Sequence, residues 1–163
     1  MAQLERIWVR SCHKPTASLS PGKSINAMGG NQGNLLYQFS THRALVRDDV
    51  DVSTITYGQF SKGAVEERAE RINSECDRLV LPLSSSFRLQ NYKALDEWGD
   101  LIERLTIPVT VVGIGAQMSL EDVRNESYVP NRVSGAAATK VQLKKHERAS
   151  KRFVASVLDK SES

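Results

Sequence analysis

Cysteine, histidine and aromatic residues are all scarce in this chain of 163 residues: two Cys, three His, two Trp, four Tyr and four Phe. Each scarcity excludes something. Cys12 and Cys76 stand apart with no Cys or His cluster nearby, so neither a disulfide framework nor a thiolate metal site can be built. The pair is expected to be reduced, with a single disulfide as the alternative. His13, His42 and His146 show no metal-ligand spacing, and no Ser/His/Asp order or paired carboxylates stand out. No apolar run reaches the length of a membrane helix. The opening MAQLERIWVRSCHKP lacks the apolar core and small-residue cleavage site of a secretory signal, so a cytoplasmic location is expected.

Charge of one sign is also in short supply. Lys and Arg number 22 against 19 Asp and Glu, a net charge of +3. Residues 1–117 balance at 13 against 13; residues 118–163 carry 9 against 6 and hold the whole excess. A basic tail can attract phosphates or nucleic acid, and it reads more simply as a solvated face. Its only aromatics are Tyr128 and Phe153, too few for a base-stacking platform, so no nucleic-acid partner is expected.

What is present is an alternation of apolar runs and amphipathic segments in a chain long enough for one real core. Residues 1–24 show no clear periodicity and read as an irregular segment. A short strand is expected over Lys23–Met28, then a glycine loop, then a helix capped by Asn34 and running to Val46, with Leu35, Phe39 and Val46 on its inner face. Asp51–Tyr57 reads as a strand and Ala64–Ser74 as a helix with Val65, Ala69 and Ile72 inward. Arg78–Leu83 (RLVLPL) is a short apolar run suited to a strand buried on both faces. Asn91–Leu105 has the clearest helical spacing, through Tyr92, Leu95, Trp98, Leu101, Ile102 and Leu105. Ile107–Ile114 (IPVTVVGI) follows as a strand. This order implies an α/β, Rossmann-like three-layer domain over residues 25–117, with a mainly parallel sheet and right-handed crossovers. Residues 118–147 read as an irregular basic excursion. Residues 148–163 read as an amphipathic helix with Ala149, Phe153, Val154, Val157 and Leu158 inward, ending where a further strand is expected.

Parallel sheets bind ligands beyond the carboxyl ends of their strands. That edge singles out Gly29, Gly30, Asn31, Gly33 and Asn34 in the glycine loop, the Tyr57–Gly63 loop, Ser84, Ser85, Ser86 and Arg88 in a polar loop, and Gly113, Gly115 and Gln117 after the last strand. Glycine backbone in front of a helix can present N–H groups to an anion. The loop lacks a P-loop lysine and does not fit GxGxxG, so it reads equally as a tight corner. The serines serve equally as a polar loop with a helix cap. His42 reads as an ordinary packed or surface residue, and His13 and His146 as exposed ones.

Two stretches carry a resemblance. GGNQGNLLYQ (29–38), and LPLSSSFR with LDEWGDLIERLTIPVTVVGIGAQ (within 81–117), together resemble the polysaccharide pyruvyl transferase family. Its members tend to have a GN-x-GN or GN-x-GD loop, a polar strand-end loop, a helix, and an apolar strand ending in Gly-x-Gly-Ala-Gln. The closing RFVASVLDKSES is similar to the helix they place before a strand beginning Ile-Gly-x-Arg-Gly. The resemblance implies two Rossmann-like lobes facing a cleft, as in GT-B-like transferases. It also implies transfer of a pyruvyl group from phosphoenolpyruvate to a sugar of a cell-surface polysaccharide. No metal or other cofactor is implied, and no catalytic residue is assigned. Members are about twice this length, residues 118–147 fit poorly, and the basic residues that hold the donor would lie mainly downstream. One lobe alone is therefore expected to bind ligand weakly at best and to be inactive unless a second lobe complements it. The alternatives are a non-catalytic interaction module derived from such a lobe, including a homo-oligomer, and a sugar-nucleotide glycosyltransferase lobe.

Overall fold

The computed structural model describes residues 4–11, 32–56, 60, 62–83, 87, 91–113 and 140–161. Their order is β1 (Glu5–Ser11), α1 (Gln32–Leu45), β2 (Val50–Thr56), α2 (Val65–Glu75), β3 (Arg78–Pro82), α3 (Tyr92–Glu103), β4 (Val109–Val112) and α4 (Lys140–Ser161). The strands form one sheet in the order β2-β1-β3-β4, and every pairing is parallel. Parallel neighbours need crossover connections, which the helices supply. The expected α/β, Rossmann-like architecture is thus the one observed.

Side-chain alternation divides the core into two layers around the sheet. Ile7 and Val9 of β1, Val50 of β2 and Val80 of β3 are buried together, with Leu45 of α1, Val52 and Val112 packed against them. On the opposite face Ile55, Leu79, Leu81 and Val109 meet Ala69 and Ile72 of α2, Leu95, Leu101 and Ile102 of α3, and Ala149 and Phe153 of α4. Among the described residues, one helix therefore covers one face and three cover the other. Burying each such aliphatic chain is worth about 1.5–3 kcal/mol, so the three-helix face carries most of the apolar stabilisation. Gly99 lies where α3 meets α4: a Cβ there would stand 3.2 Å from Cγ of Arg152, so its absence lets the helices approach. Arg152 then reaches Asp96 (3.3 Å), Asp100 (3.0 Å) and Glu103 (2.6 Å) on α3.

Several sequence expectations need correction. β1, a central strand, was hidden within the segment that shows no periodicity. Its alternation is interrupted by Arg6 and Arg10, whose partners come from distant residues. The expected strand over Lys23–Met28 lies outside the described residues. α1 begins at Gln32, so Asn34 sits in its first turn and not at its cap. Phe39 is 45% exposed and Val46, beyond the helix, 57%. The inward stripe is instead Tyr37, Thr41 and Leu45, four residues apart, with the Thr41 hydroxyl donating to the Tyr37 carbonyl at 2.9 Å. α4 starts at Lys140, eight residues before the expected 148. Ala149 and Phe153 are inward as expected and Val157 packs partly buried against the same core, while Val154 (43%) and Leu158 (61%) face out.

Arg6 ties the start of β1 to the start of β3. Its Nη2 donates to Asp77 Oδ1 at 2.7 Å, and its backbone N–H donates to Asp77 Oδ2 at 2.8 Å. The Asp77 N–H returns a bond to the Arg6 carbonyl at 2.8 Å. Hydrogen bonds from the Arg6 side chain and backbone hold the Asp77 carboxyl at about 2. A carboxylate lowered on folding stabilises in full above its unfolded pKa near 4 and loses that stabilisation as pH falls toward 2. Urea midpoints should therefore drop between pH 5 and pH 2.5, and Asp77→Asn should shrink the drop. An Asp77→Asn protein with the wild-type pH dependence would remove this linkage.

Candidate functional site

The strand order places a switch point between β1 and β3. The chain leaves β1 through α1 toward β2 and leaves β3 through α3 toward β4, in opposite directions. Such divergence opens a crevice at the carboxyl ends of the two strands. A pocket of about 160 Å³ lies there, lined by Arg10 of β1, Leu83 just past β3, and Asn91, Ala94, Leu95 and Trp98 from the start of α3.

Arg10 dominates its chemistry. Alternation along β1 puts Arg10 on the same face as Trp8, opposite Ile7 and Val9. Its guanidinium carbon lies 4.1 Å from the Trp98 ring centroid and 5.4 Å from that of Phe60. A guanidinium over an indole gains about 0.5–2 kcal/mol, more as water is excluded. The rings are themselves fixed. Phe60 and Trp98 pack with centroids 5.6 Å apart, and Trp98 packs on Phe153 of α4 at 6.3 Å. Phe87 meets Phe153 edge-on at 5.8 Å. An aromatic wall built from separated parts of the chain thus backs Arg10, the one cation among the described residues that line the pocket.

Of the residues singled out from the sequence, Gly33 and Asn34 lie in the first turn of α1, and Gly113 directly follows β4. Gly29, Gly30, Asn31, Ser84, Ser85, Ser86, Arg88, Gly115 and Gln117 lie outside the described residues. Gly113 has φ +67°, and a Cβ on it would stand 3.2 Å from Cε2 of Tyr37. Glycine is favoured there on both counts, since its φ is one that L side chains rarely adopt and a Cβ would press on the Tyr37 ring. The contact joins the helix of GGNQGNLLYQ to the strand end that opens GIGAQ, two segments 76 residues apart at Tyr37 and Gly113.

Arg10 escaped the sequence reading, Phe60 entered it only as part of the Tyr57–Gly63 loop, and Trp98 only as a core position. The available signal was the run Ile7-Trp8-Val9-Arg10, in which a cation takes the place of the next alternating apolar residue at a strand end. His146, expected to be exposed, is 8% exposed on α4, and burial pushes its imidazole below the ordinary value. It does not line the pocket. Among the described residues no group of three or more His, Cys, Asp or Glu could hold a metal ion. Among them, too, no helix is long and apolar enough to cross a membrane.

No family model, no curated protein and no solved structure matches this chain.

Proposed function

We propose that this chain is a lobe of a pyruvyl transferase-like protein whose substrates are phosphoenolpyruvate and a sugar hydroxyl. The observation that carries the reading is the pocket at the carboxyl ends of β1 and β3, with Arg10 in its wall. The packing of Tyr37 against Gly113 also supports it, because the two motif segments behind the resemblance meet at that edge.

The reaction has clear requirements. A proton adds to the methylene carbon of phosphoenolpyruvate, which makes the central carbon electrophilic. Two sugar hydroxyls add there, each giving up its proton, and inorganic phosphate leaves; the product is a pyruvate ketal. A general acid must supply the first proton, and cationic groups must hold the carboxylate and phosphate. Among the described residues lining the pocket there is a cation but neither a carboxylic acid nor a histidine. The lobe by itself is expected to bind the donor weakly, through its one described cation, without turning it over.

Thermal unfolding with phosphoenolpyruvate, pyruvate and a panel of sugars tests this. A ligand at a hundred times its Kd stabilises by about 2.7 kcal/mol, or about 5–10 °C in a domain of this size. A dose-dependent rise with phosphoenolpyruvate is expected. A cooperative melt that phosphoenolpyruvate leaves unmoved would count against a donor site in this lobe. A rise with a nucleoside diphosphate sugar alone would favour a glycosyltransferase lobe.

A further inference from the structure

We propose that Arg10, held over Trp98, is the anchor for an oxyanion, either carboxylate or phosphate, in the crevice between β1 and β3. This deepens the reading above, since it names the group that would meet the acidic end of the donor. It would also hold for another anionic ligand of the same site.

The position argues first. Arg10 is the penultimate residue of β1, on the three-helix face and at the sheet edge where ligands of parallel sheets bind. A cation used only to close a strand could point away from the crevice; this one lines it, together with Leu83 and Asn91. The support argues second. Trp98 and Phe60 engage the guanidinium carbon, and the N–H donors of an arginine fork outward in its own plane, so the ring contacts set the orientation of the fork. Preorganisation of this kind lowers the entropy lost on binding. A planar fork matches carboxylate and phosphate oxygens two at a time, which a lysine cannot do. The surroundings argue third. No carboxylate is among the described residues that line the pocket, and the first turn of α3 opens onto it with the partial positive charge of a helix start. Beside Arg10 and Asn91, the described residues of the wall are apolar, Leu83, Ala94, Leu95 and the Trp98 ring, and a charge-assisted hydrogen bond strengthens where such surfaces exclude water.

Trp98 supplies the readout. In a Trp8→Phe protein it is the sole tryptophan, and an anion drawn to Arg10 alters the charge beside its ring. Emission should be followed during separate titrations with inorganic phosphate, pyruvate and phosphoenolpyruvate, with sodium chloride as the ionic-strength control. A saturable change with at least one oxyanion is expected. Arg10→Gln should weaken it at least tenfold while the melt stays cooperative, and Arg10→Lys should restore only part of the affinity. Absence of response to all three anions, or an unchanged Kd in Arg10→Gln, would overturn the proposal. Should Arg10→Gln fail to fold, the Arg10 Nε–H resonance in the Trp8→Phe protein decides the matter: it must move along the phosphate titration, and a fixed resonance counts against the anchor. The two readings separate cleanly. Phosphate and pyruvate binding through Arg10 with no response to phosphoenolpyruvate would keep the anchor and remove the pyruvyl donor. Phosphoenolpyruvate binding indifferent to Arg10→Gln would do the reverse.

Discussion

Phe153→Ala should destabilise the protein by about 3–5 kcal/mol, the range for removing a fully buried aromatic ring from a core. Phe153 is 1% exposed and belongs to the larger core cluster. Its ring touches Trp98 of α3 and Phe87, so truncation leaves a cavity against both. In chemical denaturation the midpoint should fall with the slope nearly unchanged, because the surface exposed on unfolding stays about the same. A loss of under about 1 kcal/mol would mean that α4 is not seated on α3 as described. The substitution should also reach the crevice. Trp98 rests on Phe153 on one side and receives Arg10 on the other, so a loosened ring stack should weaken oxyanion binding at Arg10 in the stable fraction.

Cys76 should be nearly inert in the native protein. It is buried at the end of α2, where its Sγ donates to the Ile72 carbonyl at 3.3 Å. Burial first, then the Asp77 charge, pushes its thiol up to about 12 from a reference of 9.0. That is a thiolate population about 1000-fold lower at pH 8, and alkylation follows the thiolate. Native protein treated with iodoacetamide and digested should show Cys76 modified on the order of 1000-fold more slowly than in urea. Mass spectrometry of the peptides separates it from Cys12. Similar rates in the two solvents would show that the α2–β3 junction opens readily or is built differently.

The same junction shows how local patterns and distant partners divide the work. Arg78–Pro82 was legible because a continuous apolar run can only be a strand covered on both faces, and four of its five residues are buried. α3 was legible because Leu95, Leu101 and Ile102 keep strict helical spacing, and all three are buried. β1 was not, although it pairs on both sides. Its two arginines look like solvated charges until Asp77, 71 residues away, and Trp98 of α3 are brought to them. The rotation of α4 was misjudged for a related reason. Val154 and Leu158 are as apolar as any residue on the helix, yet Val154 lies about 100° around from Phe153 and Leu158 about 100° around from Val157. The face that wins holds Ala149, Phe153 and Ser156. It is selected by the close approach at Gly99 and by Arg152 reaching three carboxylates on α3.

Sequence alone determined the class of fold. Alternating apolar runs and amphipathic helices with short links leave a parallel α/β sheet as the economical way to bury those residues, and that much rests on local periodicity. Tertiary structure decided where chemistry can occur. Strand order sets which carboxyl ends diverge, and no local pattern in residues 5–11 reveals that β1 lies between β2 and β3. The crevice follows from that order. Arg10 over Trp98 follows from it as well, because two residues 88 positions apart acquire a common role only when their elements pack. Periodicity is a property of neighbours along the chain, whereas a site is a property of neighbours in space.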